Sequence, residues 1–411
     1  MPSARLHLVR HGETDWNREN RIQGHRPTAL NETGRRQAEI LARFFAARPV
    51  TAIWSSDLPR AFETAERIAA PHGLTIKTTP ALRERDLAPL EGLTGDEVAE
   101  ALSGGDFATW YDVPGVEGDE AVLQRVLPVL LEAREFGDEA VLVSHGGVQK
   151  TLLHHIMGIP PETRRAFVLG NGLVLTLAPA GGGWRVEGIC GLDVLAPPGE
   201  RASEPGRRVY LVRHGQTDWN LSGRIQGHEG TGLNETGRRQ ADLAARFLAS
   251  RPLRAVWSSD LGRALETAER IALPHGLAVK PMAALRERDL APLEGMDTER
   301  ALALRLAAGL THGDFGAWTG VPGVEREEDL LARLLPVLGE AGGVGGDVAL
   351  VTHGGPQRAI LHHVLGVPEQ VPCGAALDNG TVVALLAAGS AWRVEGIHGS
   401  EMLAGLSPAC G

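Results

Sequence analysis

The stretch Leu8-Val9-Arg10-His11-Gly12-Glu13-Thr14 decides the fold of this chain, and it returns as Leu211-Val212-Arg213-His214-Gly215-Gln216-Thr217. In both copies an apolar run typical of a buried strand ends directly at arginine, histidine and glycine. Open α/β sheets bind their ligands at the carboxyl ends of such strands. The arginine favours an anionic ligand such as phosphate, and the histidine is suited to serve as nucleophile, general base or metal ligand.

The two stretches are part of a repeat that runs through the chain. Leu82–Gly92 recurs unchanged as Leu285–Gly295, at the offset of 203 residues that also separates His11 from His214. Farther along, the offset increases to 208 because the second copy carries five extra residues. Repeated blocks in the same order indicate two homologous halves.

The length of the chain fits two domains, since each half is long enough to bury its own core. We predict domains at residues 1–190 and 207–411 of the 411-residue chain. Residues 191–206 are rich in proline and glycine and have the composition of a linker. A linker of this length permits the halves to pack as an intramolecular pseudo-dimer or to stay apart. The tail from Ser400 is interrupted by glycine and proline, and we expect it to be poorly ordered.

Strand-like and helix-like segments alternate in each half, which is the pattern of an α/β fold. In the first half Arg5–Val9, Thr51–Trp54 and Ala140–Val143 are predicted strands, and each is followed by polar residues. In a parallel arrangement these strand ends would gather on one edge of the sheet. We therefore expect two tandem three-layer α/β/α domains, each a mostly parallel sheet with helices on both faces.

Charge and composition restrict the partners. The formal net charge of −10 gives no support for a nucleic-acid partner or for an anionic membrane surface. No apolar run reaches membrane-spanning length, and no signal peptide precedes the first predicted strand. The three cysteines are too few and too irregular for a disulfide framework. These features predict a soluble cytoplasmic protein whose partner is a small molecule.

His11 and His145 both follow strand-like runs and precede glycine. Either one alone would most simply be a structural histidine at a strand end, but the pair together with Arg10 favours an anion site at the predicted sheet edge. Metal binding is the competing interpretation. The sequence holds no His-Glu-x-x-His motif, no Cys/His cluster and no calcium-type loop. We therefore predict neither a metal nor a cofactor.

Two further residues stay ambiguous on the sequence alone. Arg60 lies in the first turn of a predicted helix, where a solvated arginine is common, although the preceding Ser55-Ser56-Asp57 recurs unchanged in the second half. Glu84 lies between Arg83 and Arg85, and its simplest role is that of a surface carboxylate paired with one of them. The repeated context favours a function for Arg60, whereas for Glu84 the surface pairing remains the simpler interpretation of the residues alone.

Five motifs follow one another in the first half: Arg10-His11-Gly12-Glu13-Thr14-x-Trp16-Asn17, Gln23-Gly24-His25, Leu30-x-x-x-Gly34-x-x-Gln37-Ala38, Ser55-x-x-x-x-Arg60-Ala61-x-x-Thr64-Ala65 and Val143-Ser144-His145-Gly146-Gly147. In this order they resemble the histidine phosphatase superfamily, in its phosphoglycerate-mutase-like branch. The resemblance covers most of both halves and implies the phosphoglycerate-mutase-like fold.

The resemblance also implies a role for each matching residue. The residues that resemble catalytic groups are His11 as nucleophile, Glu84 as proton donor and His145, which when protonated joins the arginines in a positively charged clamp. The residues that resemble phosphate ligands are Arg10, Asn17, Gln23 and Arg60. The second half retains both sets, as His214, Glu287 and His353 and as Arg213, Asn220, Gln226 and Arg263.

This sequence departs from the family pattern around the mouth of the expected pocket. Ala88 stands where the family has glycine, and Leu90 where it usually has an aromatic residue. After Gln-Gly-His, the family's aspartate and proline are replaced by Pro27 and Ala29. These departures concern the path of the loops and leave the implied chemistry in place.

The resemblance implies a metal-independent phosphomonoester hydrolase that acts on small-molecule phosphate monoesters through a phosphohistidine, with one site in each half. A phosphoglycerate-mutase-type phosphotransferase would use the same intermediate, but mutases that resemble this family usually carry a longer insertion than the roughly 50 residues between Gly92 and His145. A non-catalytic phosphate-sensing or scaffolding protein is the alternative of another class. Retention of Glu84 and Glu287 argues against it, because binding alone needs no proton donor.

Overall fold

The computed structural model describes residues 5–101, 113–160, 163, 166–195, 207–307, 318, 320–389 and 391–405. Backbone contacts divide the chain into two compact units, Met1–Arg164 with Leu169–Ser203 and Arg165–Val168 with Glu204–Gly411. Within the described residues, no helix combines the length and the apolar character needed to cross a membrane.

The first unit is built on a sheet whose strands are β1 (Arg5–Arg10), β2 (Val50–Ser55), β3 (Ile76–Thr78), β4 (Glu139–Ser144), β5 (Val174–Ala180) and β6 (Gly183–Cys190). Its strand order is β3-β2-β4-β1-β5-β6. The pairs β1–β4, β2–β4 and β2–β3 are parallel, whereas β5 joins β1 antiparallel and continues into the hairpin with β6. Its helices are α1 (Asp15–Arg18), α2 (Glu32–Ala46), α3 (Pro59–Ala69), α4 (Gly95–Ala101), α5 (Asp119–Arg134), α6 (Gly146–Met157) and α7 (Leu192–Leu195).

The second unit repeats this arrangement. Its strands are β7 (Arg208–Arg213), β8 (Leu253–Ser258), β9 (Val279–Pro281), β10 (Asp347–Thr352), β11 (Val382–Ala388) and β12 (Ala391–His398), in the order β12-β11-β7-β10-β8-β9. Its helices are α8 (Asp218–Leu221), α9 (Glu235–Ala249), α10 (Gly262–Ala272), α11 (Thr298–Ala307), α12 (Glu327–Gly342), α13 (Gly354–Leu365) and α14 (Ser400–Gly405).

Helices cover both faces of the sheet, as expected for parallel strands made of continuous apolar runs. In the second unit Tyr210 and Val212 of β7 pack in one apolar cluster with residues of α9, α10 and α14. Side chains alternate along a strand, so the neighbouring Leu211 points to the opposite face, where α12 and α13 contact β7. The expected mostly parallel α/β/α architecture is thereby confirmed.

The polar strand ends of the first unit lie side by side. Arg10 at the end of β1 is in register with Ser144 at the end of β4, and Ser55 at the end of β2 pairs with Val143. The residue that follows each strand end therefore emerges at the same edge of the sheet. This edge carries His11, Ser56 and His145.

The predicted linker and the predicted loose tail both begin with a packed helix. In the first unit α7 packs on α2 and buries Val194 and Leu195, and in the second α14 packs on α9 and buries Leu403. The prediction of a poorly ordered tail is therefore wrong for Ser400–Gly405, because this segment covers apolar surface that α9 would otherwise expose. The rest of the linker, residues 196–206, and of the tail, residues 406–411, lies outside the described residues.

Replacing Leu403 by alanine tests whether α14 belongs to the core. We expect Leu403→Ala to lower the free energy of unfolding of the second unit by about 2–4 kcal/mol, as for other buried leucines. Leu273→Ala is the matched control, because Leu273 is 80% exposed and its loss should change the free energy by less than about 0.5 kcal/mol. Urea unfolding of the full chain measures both, and equal effects would contradict the packing of α14.

Candidate active site

His11 follows β1, and its two ring nitrogens have different partners. Nδ1 lies 2.6 Å from the carbonyl oxygen of Gly12, and Nε2 lies 3.1 Å from Nε of Arg60. A carbonyl only accepts and a guanidinium only donates, so Nδ1 carries the proton and Nε2 presents its lone pair. Burial, with help from the charges of Arg60 and Arg10, holds the pKa of His11 well below its usual value. The ring is therefore neutral and nucleophilic at Nε2.

Close backbone packing fixes the turn after His11. The Gly12 N–H donates to Oγ1 of Thr64 at 3.1 Å, and that hydroxyl donates in turn to the carbonyl of Arg60 at 2.8 Å. A Cβ atom on Gly12 would collide with the carbonyl oxygen of Gly34 in the first turn of α2. Glycine is required at this position by that approach of the two backbones.

Asn171 also holds the turn after His11, although no motif in the sequence indicated this residue. Its Nδ2 lies within hydrogen-bond distance of the carbonyl oxygens of His11 (3.1 Å) and Gly12 (3.3 Å) and of Oδ1 of Asn17 (3.1 Å). In the second unit Asn379 binds the carbonyl of His214 at 3.1 Å and Oδ1 of Asn220 at 3.2 Å. The recurrence of Asn-Gly at the offset of 208 residues was the signal available in the sequence.

His145 follows β4 and faces His11, with ring centroids 5.0 Å apart. Its Nε2 lies 2.9 Å from Oγ of Ser56, which accepts the Leu58 N–H at 3.3 Å and is therefore free to donate its own proton to the ring. Nδ1 of His145 is buried and has no hydrogen-bond partner in the described part of the chain. This nitrogen is the donor that the site offers to a ligand.

The positive charge of His145, on which its part in the clamp depends, is opposed by its surroundings. Burial first, and then the charges of Arg60, His11 and Arg10, hold the pKa of His145 well below its usual value. The positive charge at the edge of the sheet therefore comes from the two arginines. An anion placed between them would counteract their effect and favour protonation of His145.

Arg60 is not the solvated helix arginine that the sequence alone allowed, since only 1% of it is exposed. Besides Nε on His11, it donates from Nη2 to the carbonyl of Gly24 and from Nη1 to that of Arg26, both at 2.8 Å. Burial lowers the pKa of Arg60 to about 10, which leaves it cationic at neutral pH. It thus ties the loop at residues 23–28 to the nucleophile.

Arg10 lies on the backbone of α6. A Cβ atom on Gly146 would lie 3.2 Å from Nε of Arg10, so the glycine makes room for the guanidinium. Nη1 donates to the carbonyl of Leu169, whereas Nε is buried without a partner in the described residues. Like His145, Arg10 thus has a buried donor available for an anion.

Glu84 is not a surface carboxylate paired with a neighbouring arginine. Its Oε1 accepts the Arg85 N–H at 2.8 Å and its Oε2 accepts the Gly147 N–H at 3.1 Å, at the start of α6. The Arg83 side chain instead makes a two-pronged ion pair with Asp57, at 2.7 and 2.6 Å. A Cβ atom on Gly147 would collide with Oε1, so this glycine makes room for the carboxylate at the start of α6.

Arg125 of α5 supports the loop that carries Glu84, although no motif in the sequence indicated this arginine. It donates to the carbonyls of Ala81, Arg83 and Glu84 at 2.7–3.1 Å and is itself held by Glu117. Three carbonyls on one guanidinium fix the backbone, and therefore the direction in which Glu84 points.

Asn17 and Gln23 lie beside the site, but their oxygens are already used. Oδ1 of Asn17 accepts from the N–H and the hydroxyl of Thr14, both at 3.1 Å, in a capping box at the start of α1. Oε1 of Gln23 accepts from Oγ1 of Thr28 at 2.5 Å. Only their amide nitrogens remain to contact a ligand.

The second unit assembles the same geometry. Nδ1 of His214 lies 2.7 Å from the carbonyl of Gly215, Nε of Arg263 lies 3.3 Å from Nε2 of His214, and Nε2 of His353 lies 2.8 Å from Oγ of Ser259. Nε of Arg213 is buried and has no hydrogen-bond partner among the described residues. The Glu287 carboxylate accepts the N–H groups of Arg288 and Gly355. Arg333 donates to the backbone carbonyls of the loop that carries Glu287. One difference is Gln226, whose Nε2 donates to Oγ1 of Thr217.

The arrangement is suited to binding and attacking a phosphoryl group. It combines a neutral imidazole nitrogen, two arginines and a carboxylate at one edge of the sheet, a set of groups that binds an anion and moves a proton. No group of three or more His, Cys, Asp or Glu side chains in the described residues is arranged to hold a metal ion.

Comparison with known proteins identifies the family. The sequence model of the histidine phosphatase superfamily (branch 1) matches residues 6–190 and again residues 209–398. Phosphoglycerate mutase-like protein 4 of Arabidopsis thaliana is 39% identical over 159 residues, which are 36% of this chain and 69% of that protein. A probable phosphoglycerate mutase GpmB of Yersinia pestis (strain Pestoides F) is 36% identical over 176 residues, 40% of this chain and 80% of that protein.

Among solved structures, a mycobacterial glucosyl-3-phosphoglycerate phosphatase in complex with VO3 is 32% identical, with a TM-score of 0.41. The match covers 45% of this chain and 97% of that one. The two segments matched by the family contain the two Arg-His-Gly stretches, and together they span most of the sequence. The chain therefore belongs to the histidine phosphatase superfamily, branch 1, which it matches in two consecutive segments.

Proposed function

We propose that this chain is a metal-independent phosphomonoester hydrolase that acts on small phosphorylated metabolites through a phosphohistidine, with one active site in each unit. The observation that supports this most strongly is the orientation of His11, whose unprotonated Nε2 faces Arg60. A phosphoryl group brings negative charge to the cations and an electrophile to the nitrogen, and its oxygens offer Nε of Arg60 another acceptor.

In the first step, Nε of Arg60 moves its hydrogen bond from Nε2 of His11 to a phosphoryl oxygen, the freed Nε2 attacks phosphorus, and the bond from phosphorus to the leaving-group oxygen breaks. Nε of Arg10 and Nδ1 of His145 donate to the nonbridging oxygens, where a phosphoryl-transfer transition state carries its charge. Glu84 in its acid form gives a proton to the leaving oxygen, which departs as an alcohol.

In the second step, water attacks the phosphorus of the phosphohistidine while the Glu84 carboxylate takes one of its protons. The P–N bond breaks, inorganic phosphate is released, and His11 returns to its neutral form. Glu84 ends the cycle protonated, as it began. The N–H groups of Arg85 and Gly147 hold the carboxyl group in place through both steps.

A phosphoglycerate-mutase-type transferase is the second candidate, because relatives of this chain carry that name. The two candidates share the first step and differ in whether water or a second alcohol accepts the phosphoryl group. A purely phosphate-binding role is less well supported, since Arg125 and two backbone N–H groups are devoted to positioning Glu84.

Hydrolysis of an aryl phosphate by the full chain in excess EDTA tests the proposal. We expect wild type, His11→Ala and His214→Ala to hydrolyse it, and the double variant to lose at least about a thousandfold in turnover, as when a nucleophile is removed from a comparable site. His155→Ala is the control, because His155 lies on α6 and serves no role in the mechanism.

Each alternative outcome has a distinct meaning. Turnover lost in EDTA and restored by a divalent metal would contradict the metal-free mechanism. A single variant without any activity would contradict two independent sites. A wild type that hydrolyses nothing but interconverts phosphoglycerates would establish the transferase instead.

Asn171→Ala tests the positioning of the nucleophile. In a chain that carries His214→Ala, we expect this change to lower kcat about tenfold to a hundredfold and to leave KM within about threefold, because a shift of the His11 backbone affects attack more than binding. Asn234→Ala, which removes the equivalent cap of α9 beside the disabled second site, is the control and should lower stability by about 1 kcal/mol with little effect on kcat. A purely structural role for Asn171 would make the two variants behave alike.

A further inference from the structure

The groups that transfer the phosphoryl group are the same in both units, but the charged residues at the edge of each site differ. Among the positions that change charge between the halves, three lie close in sequence to groups of the site or to residues that hold them: Glu13 becomes Gln216, Arg26 becomes Glu229, and Gly170 becomes Asp378. The Arg26 and Glu229 carbonyls contact the clamp arginine directly.

Arg26 lies on the loop that connects the clamp to the proton donor. Its carbonyl accepts from Nη1 of Arg60 at 2.8 Å, and Nε2 of the preceding His25 donates to the carbonyl of Glu84 at 2.8 Å. In the proposed mechanism Glu84 protonates the leaving group, so a loop hydrogen-bonded to the backbone of Glu84 adjoins the leaving-group side of the site. The Arg26 guanidinium pairs with Glu91 at 3.0 Å and is 61% exposed, so it remains accessible to a substrate.

Glu229 occupies the same place in the second unit. Its carbonyl accepts from Nη1 of Arg263 at 3.0 Å, and His228 reaches the carbonyl of Glu287 at 3.0 Å. Glu294, the counterpart of Glu91, is also retained and accepts the His228 N–H. Where the first unit has an ion pair, the second therefore has two carboxylates.

Asp378 adds a further negative charge to the second site. The preceding Leu377 accepts from Nη1 of Arg213 at 2.6 Å, and the following Asn379 binds the carbonyl of His214. In the first unit Gly170 stands at this position and brings no charge. The carboxylate acts directly on the clamp, because with Glu287 it opposes the burial that lowers the pKa of Arg213.

The remaining change has the opposite sign but is directed away from the leaving group. Oε1 of Glu13 accepts from Nδ2 of Asn31 at 2.9 Å, and Oε1 of Gln216 accepts from Nδ2 of Asn234 at 3.1 Å. Both side chains are thus turned toward the cap of the following helix. The edge of the second site is therefore the more negative one, through Glu229 on the loop beside Glu287 and through Asp378 beside Arg213.

We propose, resting on the hydrolase function proposed above, that the first site prefers monoesters whose leaving group carries a carboxylate, and the second site those whose leaving group is neutral or cationic. Because the phosphoryl group is the same in all substrates, the charge difference between the two sites can discriminate only between leaving groups. Charges within about 10 Å act on it with little screening at moderate salt.

A matched series of alkyl phosphates tests the preference. Phosphoglycolate, ethyl phosphate and phosphoethanolamine differ mainly in the charge at the far end of the leaving group. The first site is measured in the His214→Ala chain and the second in the His11→Ala chain. We expect the ratio of kcat/KM for phosphoglycolate to that for ethyl phosphate to be about tenfold higher at the first site, which corresponds to about 1.4 kcal/mol. The ratio of kcat/KM for phosphoethanolamine to that for ethyl phosphate should instead be higher at the second site.

Charge exchange assigns the preference to residues. Arg26→Glu in the His214→Ala chain, and Glu229→Arg with Asp378→Gly in the His11→Ala chain, should each move the ratio severalfold toward that of the other site. Arg67→Glu is the matched control, because Arg67 is an exposed arginine paired with Glu39 at 3.0 Å on the outer helices, and it should leave the ratio unchanged. High salt should reduce all of these differences.

The outcomes separate this proposal from the hydrolase function. Equal ratios at the two sites, or ratios that the exchanges do not move, would overturn the leaving-group preference even though ethyl phosphate is hydrolysed. If only one site is active, the charge exchange at that site tests the proposal, and a ratio of kcat/KM that does not change would overturn it. Failure of both chains to hydrolyse any phosphate would overturn the hydrolase function, and this preference with it.

Discussion

The contact between Nε of Arg60 and Nε2 of His11 is the constraint on which the rest of each site depends. A buried guanidinium loses its hydration and needs hydrogen bonds to compensate. Here it obtains them from the nucleophile and from the carbonyls of the loop at residues 23–28. The same contact keeps His11 unprotonated, since a cation beside a buried imidazole disfavours a second charge. One interaction thus holds Arg60 in place and keeps His11 in its neutral form.

Glycines allow this interaction to form at the edge of the sheet. Gly12 lets the chain turn against α2, Gly146 makes room for Arg10, and Gly147 makes room for Glu84. Each of these glycines contacts either backbone or a side chain that is hydrogen-bonded to backbone. The groups of the site are therefore held by rigid elements of the fold. The second unit preserves the same contacts around His214, which explains how duplication retained the site while its charged edge changed.

The sequence predicted the fold and the groups at the sheet edge because both follow from local pattern. Apolar runs that end at Arg-His-Gly and Ser-His-Gly-Gly marked the strand ends, and repetition of the whole order marked two halves. The packing of α7 and α14 was not predictable in this way, since their few apolar residues gain meaning only against α2 and α9. Asn171 was missed because its partners are backbone carbonyls distant in sequence.

Protonation was the other property that the sequence could not supply. The motif resemblance implied a place for His145 in the clamp, but the pKa of a histidine depends on burial and on charges that only the fold brings together. The role of Glu84 likewise depended on where Arg83 turns, and that arginine is engaged by Asp57. The order of the motifs therefore indicated which residues form the candidate site, whereas the charges of these residues could be inferred only from the structure.

The most direct test of this account is to trap the phosphoenzyme and locate the phosphoryl group. In a chain with Glu84→Gln and Glu287→Gln, a nitrophenyl phosphate should still phosphorylate the enzyme, because nitrophenolate leaves without a proton, whereas hydrolysis of the intermediate should slow. After alkaline denaturation, the account predicts phosphoryl groups on Nε2 of His11 and of His214, since Nδ1 is engaged by a carbonyl in both. A phosphoryl group on Nδ1, or on any residue other than these two histidines, would contradict it.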